Sequence, residues 1–528
     1  MSLTRKKILA IVGGGSVATS VLKQLADEIN QRGQAPFNEV LIFEKSAGVG
    51  AGMAYQLDSA SNLLNTRAGT MSPIDAEPDH FVNWLRTHTA KWQAHFPQVE
   101  VSDGAFLPRG LFGLYLNDLF SDCVQSLTGN GVRVEHVQLE IKAMRTTANG
   151  YELQAGPLSY LADAVVLATG NLHSAERDHM EREPGYFNSP YPCTRLIDAI
   201  PRNHSVCVLG TGLSAIDAVV CLADAGHQGK LIMASRGGRL PSVRGVHHAS
   251  YSPRLLSRQG IEGWVAGLGG PLTLDQLYAT LISEASAIHG APLQLDSILR
   301  SGTGAHRYLD IEVQEALDSE RSWQSVLYAL NESIDLIWHY LDDQDKTRFE
   351  KDFKSQWLAY RVSFPVDNAR KLQALFHRDQ LCVFGGTGLS WRDQASGAFA
   401  TSIFDHRMGF RATLYSDSLI NSTGFTADAA QCKAKLVRQL LDIGLVSAHP
   451  YGGIKVDFHS NQVVTADGSL LPNVYAVGAL TSGTHFWTNA MNVNARLAKQ
   501  VAVNLCSGVQ AERSNLSGSA RAPMQWAV

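Results

Sequence analysis

The sequence predicts an α/β fold in which one Rossmann-like nucleotide unit is inserted into another and a helical insert follows the inner unit. Three observations predict it. Two glycine-rich turns each sit between an apolar run and a helical pattern, and strands return late in the chain after a long helical stretch.

The first turn, Gly13-Gly14-Gly15-Ser16-Val17-Ala18, follows Ile8-Leu9-Ala10-Ile11-Val12 and opens a stretch with Ala18, Val21, Leu22, Leu25 and Ile29 at helical spacing. Gly13 and Gly15 let the backbone approach a pyrophosphate, and the helix that starts at Ser16 and Ala18 supplies amide donors and partial positive charge. The next apolar run, residues 40–43, ends in Glu44. A carboxylate there accepts hydrogen bonds from a ribose diol and repels a 2′-phosphate. Two such turns imply two dinucleotides, and a flavin fed by a nicotinamide is the pairing they suggest. FAD is expected at this first turn. Residues 1–203 form its N-terminal part, which closes on the strand 164–168 and the small-residue turn Thr169-Gly170.

The second turn, Gly210-Thr211-Gly212-Leu213-Ser214-Ala215, follows Val206-Cys207-Val208-Leu209 and opens a helix, so Gly210, Gly212 and Ser214 are expected to cradle a second dinucleotide. Its following strand, 231–234, ends in Ser235-Arg236 with no acid. A hydroxyl and a guanidinium fork suit a 2′-phosphate, which points to NADPH over a unit spanning 204–250. Residues 251–380 read as helices: Thr273-Leu274-Asp275-Gln276 has capping-box spacing, and 334–340 and 349–360 repeat aromatic and aliphatic residues every three or four positions. Residues 381–528 are expected to complete the FAD domain, through Ser422-Thr423-Gly424-Phe425, the strand before Gly478, and a polar loop containing Asn489 that enters the last helix.

Bulk properties set limits. A chain of 528 residues implies two or three lobes, and 45% hydrophobic with 18% charged residues is ordinary for a soluble enzyme. A net charge of −4 leaves no footprint for nucleic acid. The seven cysteines form no C-x-x-C pair, which argues against a disulfide framework, a zinc site or a dithiol redox centre, and no metal ligand set is expected. Arg5-Lys6-Lys7 precedes only five apolar residues, a first strand rather than a secretory signal, and no apolar stretch approaches the roughly 18 residues of a membrane span. A cytoplasmic protein is the expectation.

The ordered set of both turns, Glu44, Ala168-Thr169-Gly170, Ser235-Arg236 and Ser422-Thr423-Gly424-Phe425 resembles the two-dinucleotide-binding flavoprotein monooxygenases. More closely, 62–68 (Asn-Leu-Leu-Asn-Thr-Arg-Ala), Met71-Ser72, Phe106-Leu107-Pro108-Arg109 and Phe187-Asn188-Ser189-Pro190-Tyr191 resemble a bacterial group of FAD/NAD(P)-binding proteins that includes amino-acid N-oxygenases. The F-x-G-x-x-x-H-x-x-x-W signature of Baeyer–Villiger enzymes is missing before the second turn, which argues against carbonyl-to-ester chemistry. The resemblance implies FAD, NADPH and O2 acting through a C4a-(hydro)peroxyflavin on a small amine or amino acid, with no obligatory acid–base dyad. It places Asn65, Arg67 and Ser72 near the flavin ring, and points the last helix, after Asn489, at the flavin pyrimidine. Arg67 is the first candidate for a substrate carboxylate and Arg244 the second; His247 and His248 follow the inner unit and are further candidates. Trp357 and Arg361 read as core and surface. Two other functions stay open: an NADPH oxidoreductase passing electrons to a partner or quinone, and a nucleotide-binding sensor without turnover.

Overall fold

The computed structural model describes residues 5–247, 251–405, 409–423 and 425–518, so Gly424 and His248 lie outside the described residues. The chain starts with β1 (Ile8–Val12), α1 (Ser16–Arg32) and β2 (Glu39–Phe43), then α2 (Arg109–Gly129) and β3 (Arg133–Val137). A three-stranded antiparallel flap, β4 (Ala143–Thr147), β5 (Gly150–Ala155) and β6 (Leu158–Ala162), leads into β7 (Ala164–Leu167). The inner unit follows as β8 (Tyr186–Phe187), β9 (Val206–Leu209), α3 (Leu213–Asp224) and β10 (Leu231–Ala234).

Helices then dominate: α4 (Leu274–His289), α5 (Ala305–Asp318), α6 (Ser322–Ala329), α7 (Lys354–Arg361) and α8 (Val366–His377). The Thr273 hydroxyl and the Gln276 side chain cap α4 reciprocally, as the spacing predicts. Next come β11 (Leu381–Phe384), an antiparallel set β12 (Thr387–Arg392), β13 (Phe399–Asp405) and β14 (Phe410–Ser416), and β15 (Ser418–Asn421). The chain ends with β16 (Gln462–Val464), β17 (Leu470–Ala476) and α9 (Met491–Gly518).

Two sheets organise these elements. One has the order β16-β17-β7-β1-β2-β3 and the other β11-β10-β9-β15-β8. Every pairing in the second is parallel, and in the first only β16 runs against its neighbour. Strands β1, β7, β9 and β10 are covered on both faces, which explains their unbroken apolar runs. Ala18, Val21, Leu22, Leu25 and Ile29 of α1 are buried together with Val493, Leu497 and Val501 of α9.

One boundary expected from the sequence is corrected by this topology. β11 pairs with β10, and β15 lies between β9 and β8, so residues 381–421 complete the inner sheet and not the outer one. The apolar runs 381–384 and 419–420 carry no mark of which parallel sheet they join, and pairing across the helical insert decides it. Among the described residues no helix is long and apolar enough to cross a membrane.

Candidate functional site

The two glycine turns are built alike. Gly13 has φ +108°, and a Cβ there would lie 2.1 Å from the Ala168 carbonyl oxygen; Gly210 has φ +119°, with 2.7 Å to the Ser422 carbonyl oxygen. Each glycine therefore lets the turn press against the edge of a neighbouring strand, a place closed to any side chain. The edge turns correspond: Ala168-Thr169 beside β1 and Ser422-Thr423 beside β9. Each carries a buried hydroxyl with no hydrogen-bond partner among the described residues, Thr169 Oγ1 and Ser422 Oγ. A buried polar atom left unpaired costs free energy unless something polar meets it, so both edges fit a bound polar group.

At the first turn, Gly15 caps α1 without a side-chain hydrogen bond, leaving the helix amides for a ligand. The Glu44 carboxylate accepts from the Gly14 amide at 3.0 Å and from the Ser46 amide and hydroxyl at 3.0 and 2.9 Å. This fixes it beside the turn, at the end of β2, where a ribose diol would lie. Gly478, φ +78°, brings the end of β17 to Val17 in the first turn of α1. These residues fit an adenine dinucleotide such as FAD.

At the second turn Gly212 caps α3 without a side chain and has open space where its Cβ would be. Ser214 is half-buried on the first turn of α3. The Ser235 hydroxyl is already engaged, bonded to Thr211 Oγ1 and accepting from the Gly238 amide, both at 3.0 Å. Arg236 is exposed, and no ion pair to it occurs among the described residues. Arg236 is thus the residue of the pair that is available for a 2′-phosphate.

A salt bridge with its hydrogen bonds joins the two units. Arg109 meets Asp217 of α3 at 2.8 Å and donates to the Tyr191 hydroxyl at 2.8 Å, and that hydroxyl donates to Asp217 at 2.5 Å. Burial penalises the Arg109 charge, but Asp217 and Tyr191 more than offset this and raise its pKa. Arg109 Nε also holds the Leu63 carbonyl. The Asn62–Ala68 and Phe106–Arg109 segments are therefore the joint between the units.

Beyond that joint lies a cluster of arginines. Arg67 donates to the backbone carbonyls of Gly104 and Gly245 and lies 5.2 Å from the centre of the Phe106 ring. Arg244 lies over the same ring at 5.9 Å and over Tyr328 of α6 at 3.2 Å. Arg361, at the end of α7, lies 4.7 Å from Tyr328 and 4.9 Å from Trp487, and donates to Asn331 Oδ1. Among the described residues none of the three meets a carboxylate, whereas nearby Arg321 and Arg496 are paired with Glu312 and Asp335. The physical consequences follow. Burial and the Arg244 charge lower the pKa of Arg67; burial brings Arg361 down to about 10. Burial alone would raise Tyr328, but Arg244 and Arg361 reverse it and lower its pKa. Six stretches distant in sequence converge on an electropositive, aromatic-lined place whose chemistry suits an anion.

The expected residues divide accordingly. Arg67 and Arg244 come together, joined by Arg361, which is buried and not on the surface as its polar type suggests. The stacking partners Tyr328 and Trp487 carry no motif. His247 does not join them: it is exposed, and its Nε2 bonds the Leu317 carbonyl at 3.0 Å. Ser72 is buried and folds back on Ile74, Asn65 is half-buried beside Arg67's segment, and Asn489 is exposed ahead of α9. Gly170, φ +73°, turns the chain after Thr169.

Residues 10–172, which contain the first turn, match the model of the FAD-NAD(P)-binding family. The chain is 23% identical over 418 residues to the uncharacterised protein YdhS of Escherichia coli K12, covering 70% of this chain and 75% of that one. Its fold is similar to L-lysine 6-monooxygenase from Pseudomonas syringae (14% identity, TM-score 0.57, 96% of this chain and 100% of that). It is also similar to ornithine hydroxylase from Pseudomonas aeruginosa (12% identity, TM-score 0.56, 95% and 99%).

Proposed function

We propose that the protein is an FAD- and NADPH-dependent monooxygenase that hydroxylates the nitrogen of a small amino acid or amine with O2. The observation that carries this reading is the set of three arginines, Arg67, Arg244 and Arg361, that meet no carboxylate among the described residues and gather around Phe106 and Tyr328. The names of the structural neighbours, hydroxylases and monooxygenases of amino acids, agree with it. Bound FAD and NADPH supply reducing power and oxygen activation; the chain supplies position and environment. Arg67 and Arg244 would hold the substrate carboxylate through charge-assisted hydrogen bonds, and Arg361 would neutralise further negative charge. Phe106, Tyr328 and Trp487 exclude water from that contact and so strengthen it. Arg236 would select NADPH by its 2′-phosphate. No side chain must act on the oxygen itself. A nitrogen nucleophile needs only to be unprotonated, and the surrounding positive charge favours loss of its proton.

The test is a panel of acidic, neutral and basic amino acids and amines with the purified flavoprotein, following NADPH and O2 together. The reading expects one-to-one consumption with an ¹⁸O atom from O2 on the product nitrogen. Label from water, or turnover with an artificial acceptor under argon and none with O2, would make the chain a reductase.

A further inference from the structure

Away from both turns, the start of α5 and the end of α8 carry a group that the proposed chemistry does not use. His306 and Asp310 are one helical turn apart on α5 and share a face. His377 is the last residue of α8, which packs against α5. His306 Nε2 lies 3.6 Å from one Asp310 carboxylate oxygen and His377 Nε2 lies 3.4 Å from the other. One donor atom from each of the three side chains falls within 4.8 Å of the other two.

We propose that His306, Asp310 and His377 bind a divalent transition-metal ion of the zinc type, with water in the remaining position. The spacing supports an ion over direct pairing. A charge-assisted N–H···O bond closes to about 2.7–2.9 Å, and neither imidazole comes that near the carboxylate. Around a tetrahedral ion with bonds of about 2.0–2.1 Å, neighbouring ligand atoms are separated by about 3.4 Å, close to the 3.6 and 3.4 Å from the imidazoles to the two Asp310 oxygens, and all three donors lie within 4.8 Å of one another. Two imidazoles and one carboxylate suit zinc, nickel or copper and not magnesium or calcium, which demand oxygen ligands.

The surroundings hold two of the three ligands. Gln373 Nε2 donates to Asp310 at 2.7 Å and steers its carboxylate. The His306 ring stacks on Phe376, with centroids 5.0 Å apart and planes 8° from parallel, which fixes the plane of the imidazole. Both histidines are exposed and Asp310 is half-buried, so solvent can supply the fourth ligand. The role is a clip. An ion here ties α5 to α8, and the following turn of α5 carries Glu312, which accepts from the Val243 amide at 2.8 Å and holds Arg321. The clip therefore steadies the helix that anchors the strap bearing Arg244.

The test uses the purified full-length flavoprotein, stripped with chelator and titrated with zinc chloride by calorimetry and thermal shift. We expect one zinc per chain and a higher melting temperature on binding. Asp310→Asn and His377→Ala should each weaken binding at least about tenfold and abolish the thermal shift. His289→Ala, which removes an exposed histidine on α4, should bind as the unaltered protein does. Absence of stoichiometric zinc, or equal affinity in the Asp310 and His377 variants, overturns the proposal.

Discussion

Replacing Arg361 by methionine separates a ligand-binding arginine from a structural one, because the two roles predict opposite effects on stability. Arg361 is 5% exposed, burial holds its pKa down to about 10, and its nearest charged neighbour is another arginine. The guanidinium carbons of Arg244 and Arg361 lie 3.2 and 4.7 Å from the centre of the Tyr328 ring, so they are at most about 8 Å apart. Two unit charges at that separation repel by about 2 kcal/mol at an effective dielectric constant of about 20. A pKa held about 2.5 below its ordinary value corresponds to about 3 kcal/mol of unfavourable charging at neutral pH, repulsion included. Against this relief, Arg361→Met loses its contacts with Tyr328 and Trp487, worth about 1–2 kcal/mol together, and the bond to Asn331, worth about 1 kcal/mol. The net change is near zero or slightly stabilising. Arg321→Met is the contrast: it removes two 2.8 Å bonds to buried Glu312, which keeps only Arg300 as an ionic partner, and charge-assisted bonds of this kind are worth about 1.5–3 kcal/mol. Thermal shift should therefore show a drop for the Arg321 variant and none for the Arg361 variant. The Arg361 variant should in turn raise the substrate KM about tenfold or more, the loss of a charge-assisted contact of about 1.5–3 kcal/mol. A large fall in melting temperature with unchanged KM would refute the reasoning and make Arg361 structural.

Arg236→Ala should weaken NADPH at least about tenfold and leave NADH nearly unchanged, read by flavin reduction rates at varied nucleotide; equal losses for both would make Arg236 structural. Gly13→Ala places a methyl group 2.1 Å from the Ala168 carbonyl at a φ of +108°, so the protein should purify without yellow colour, checked by the visible spectrum. His485 is fully buried with its Nε2 2.8 Å from Asn461 Oδ1, and burial brings its pKa down to about 4. Between pH 4 and 6.5 the unfolded chain binds this proton and the native one does not, so its contribution to stability is complete above about 6.5 and is lost as pH falls toward 4. His485→Gln should flatten denaturation midpoints over that window; an unchanged slope refutes it.

The sequence legibly encodes what depends on local backbone. Gly13 and Gly210 stand where positive φ and close approach demand glycine, Glu44 ends its strand, and the Thr273 box caps α4. These are short-range facts, written in adjacent residues. What could not be read depends on pairing at a distance. The strand 418–421 looks the same whether it joins β9 or β7, and only its pairing in the folded chain places it beside β9. Arg361 carries the surface propensity of every arginine, and only the convergence of α6, α7 and the loop before α9 reveals that it is buried. His306 and Asp310 left a faint signal at helical spacing, but the third ligand is 67 positions further along, beyond any local pattern.

The correspondence of the two edge turns bears on how the molecule brings its ligands together. Each sheet has a glycine turn pressed against a carbonyl of a small-residue edge, Ala168 in one and Ser422 in the other, and each edge buries an unpaired hydroxyl. Two separately folded units could satisfy those edges without facing each other. Here the ion pair of Arg109 with Asp217, on the helix that the second glycine turn opens, fixes one unit against the other. The same joint holds the Leu63 carbonyl, four residues before Arg67, and so locates the arginine cluster relative to both turns. This ion pair is one of several contacts across the joint, beside the Asp58 carboxylate that accepts from the Cys193 and Thr194 amides. Asp217→Asn would keep the shape and remove the charge, leaving half-buried Arg109 without its counter-ion and with a weakened charge-assisted contact, worth about 1.5–3 kcal/mol. If the joint sets the geometry, this variant should impair flavin reduction by NADPH and substrate binding together while FAD content is retained. Loss of FAD alone, with the other two intact in the reconstituted protein, would show that the contact serves the outer unit only.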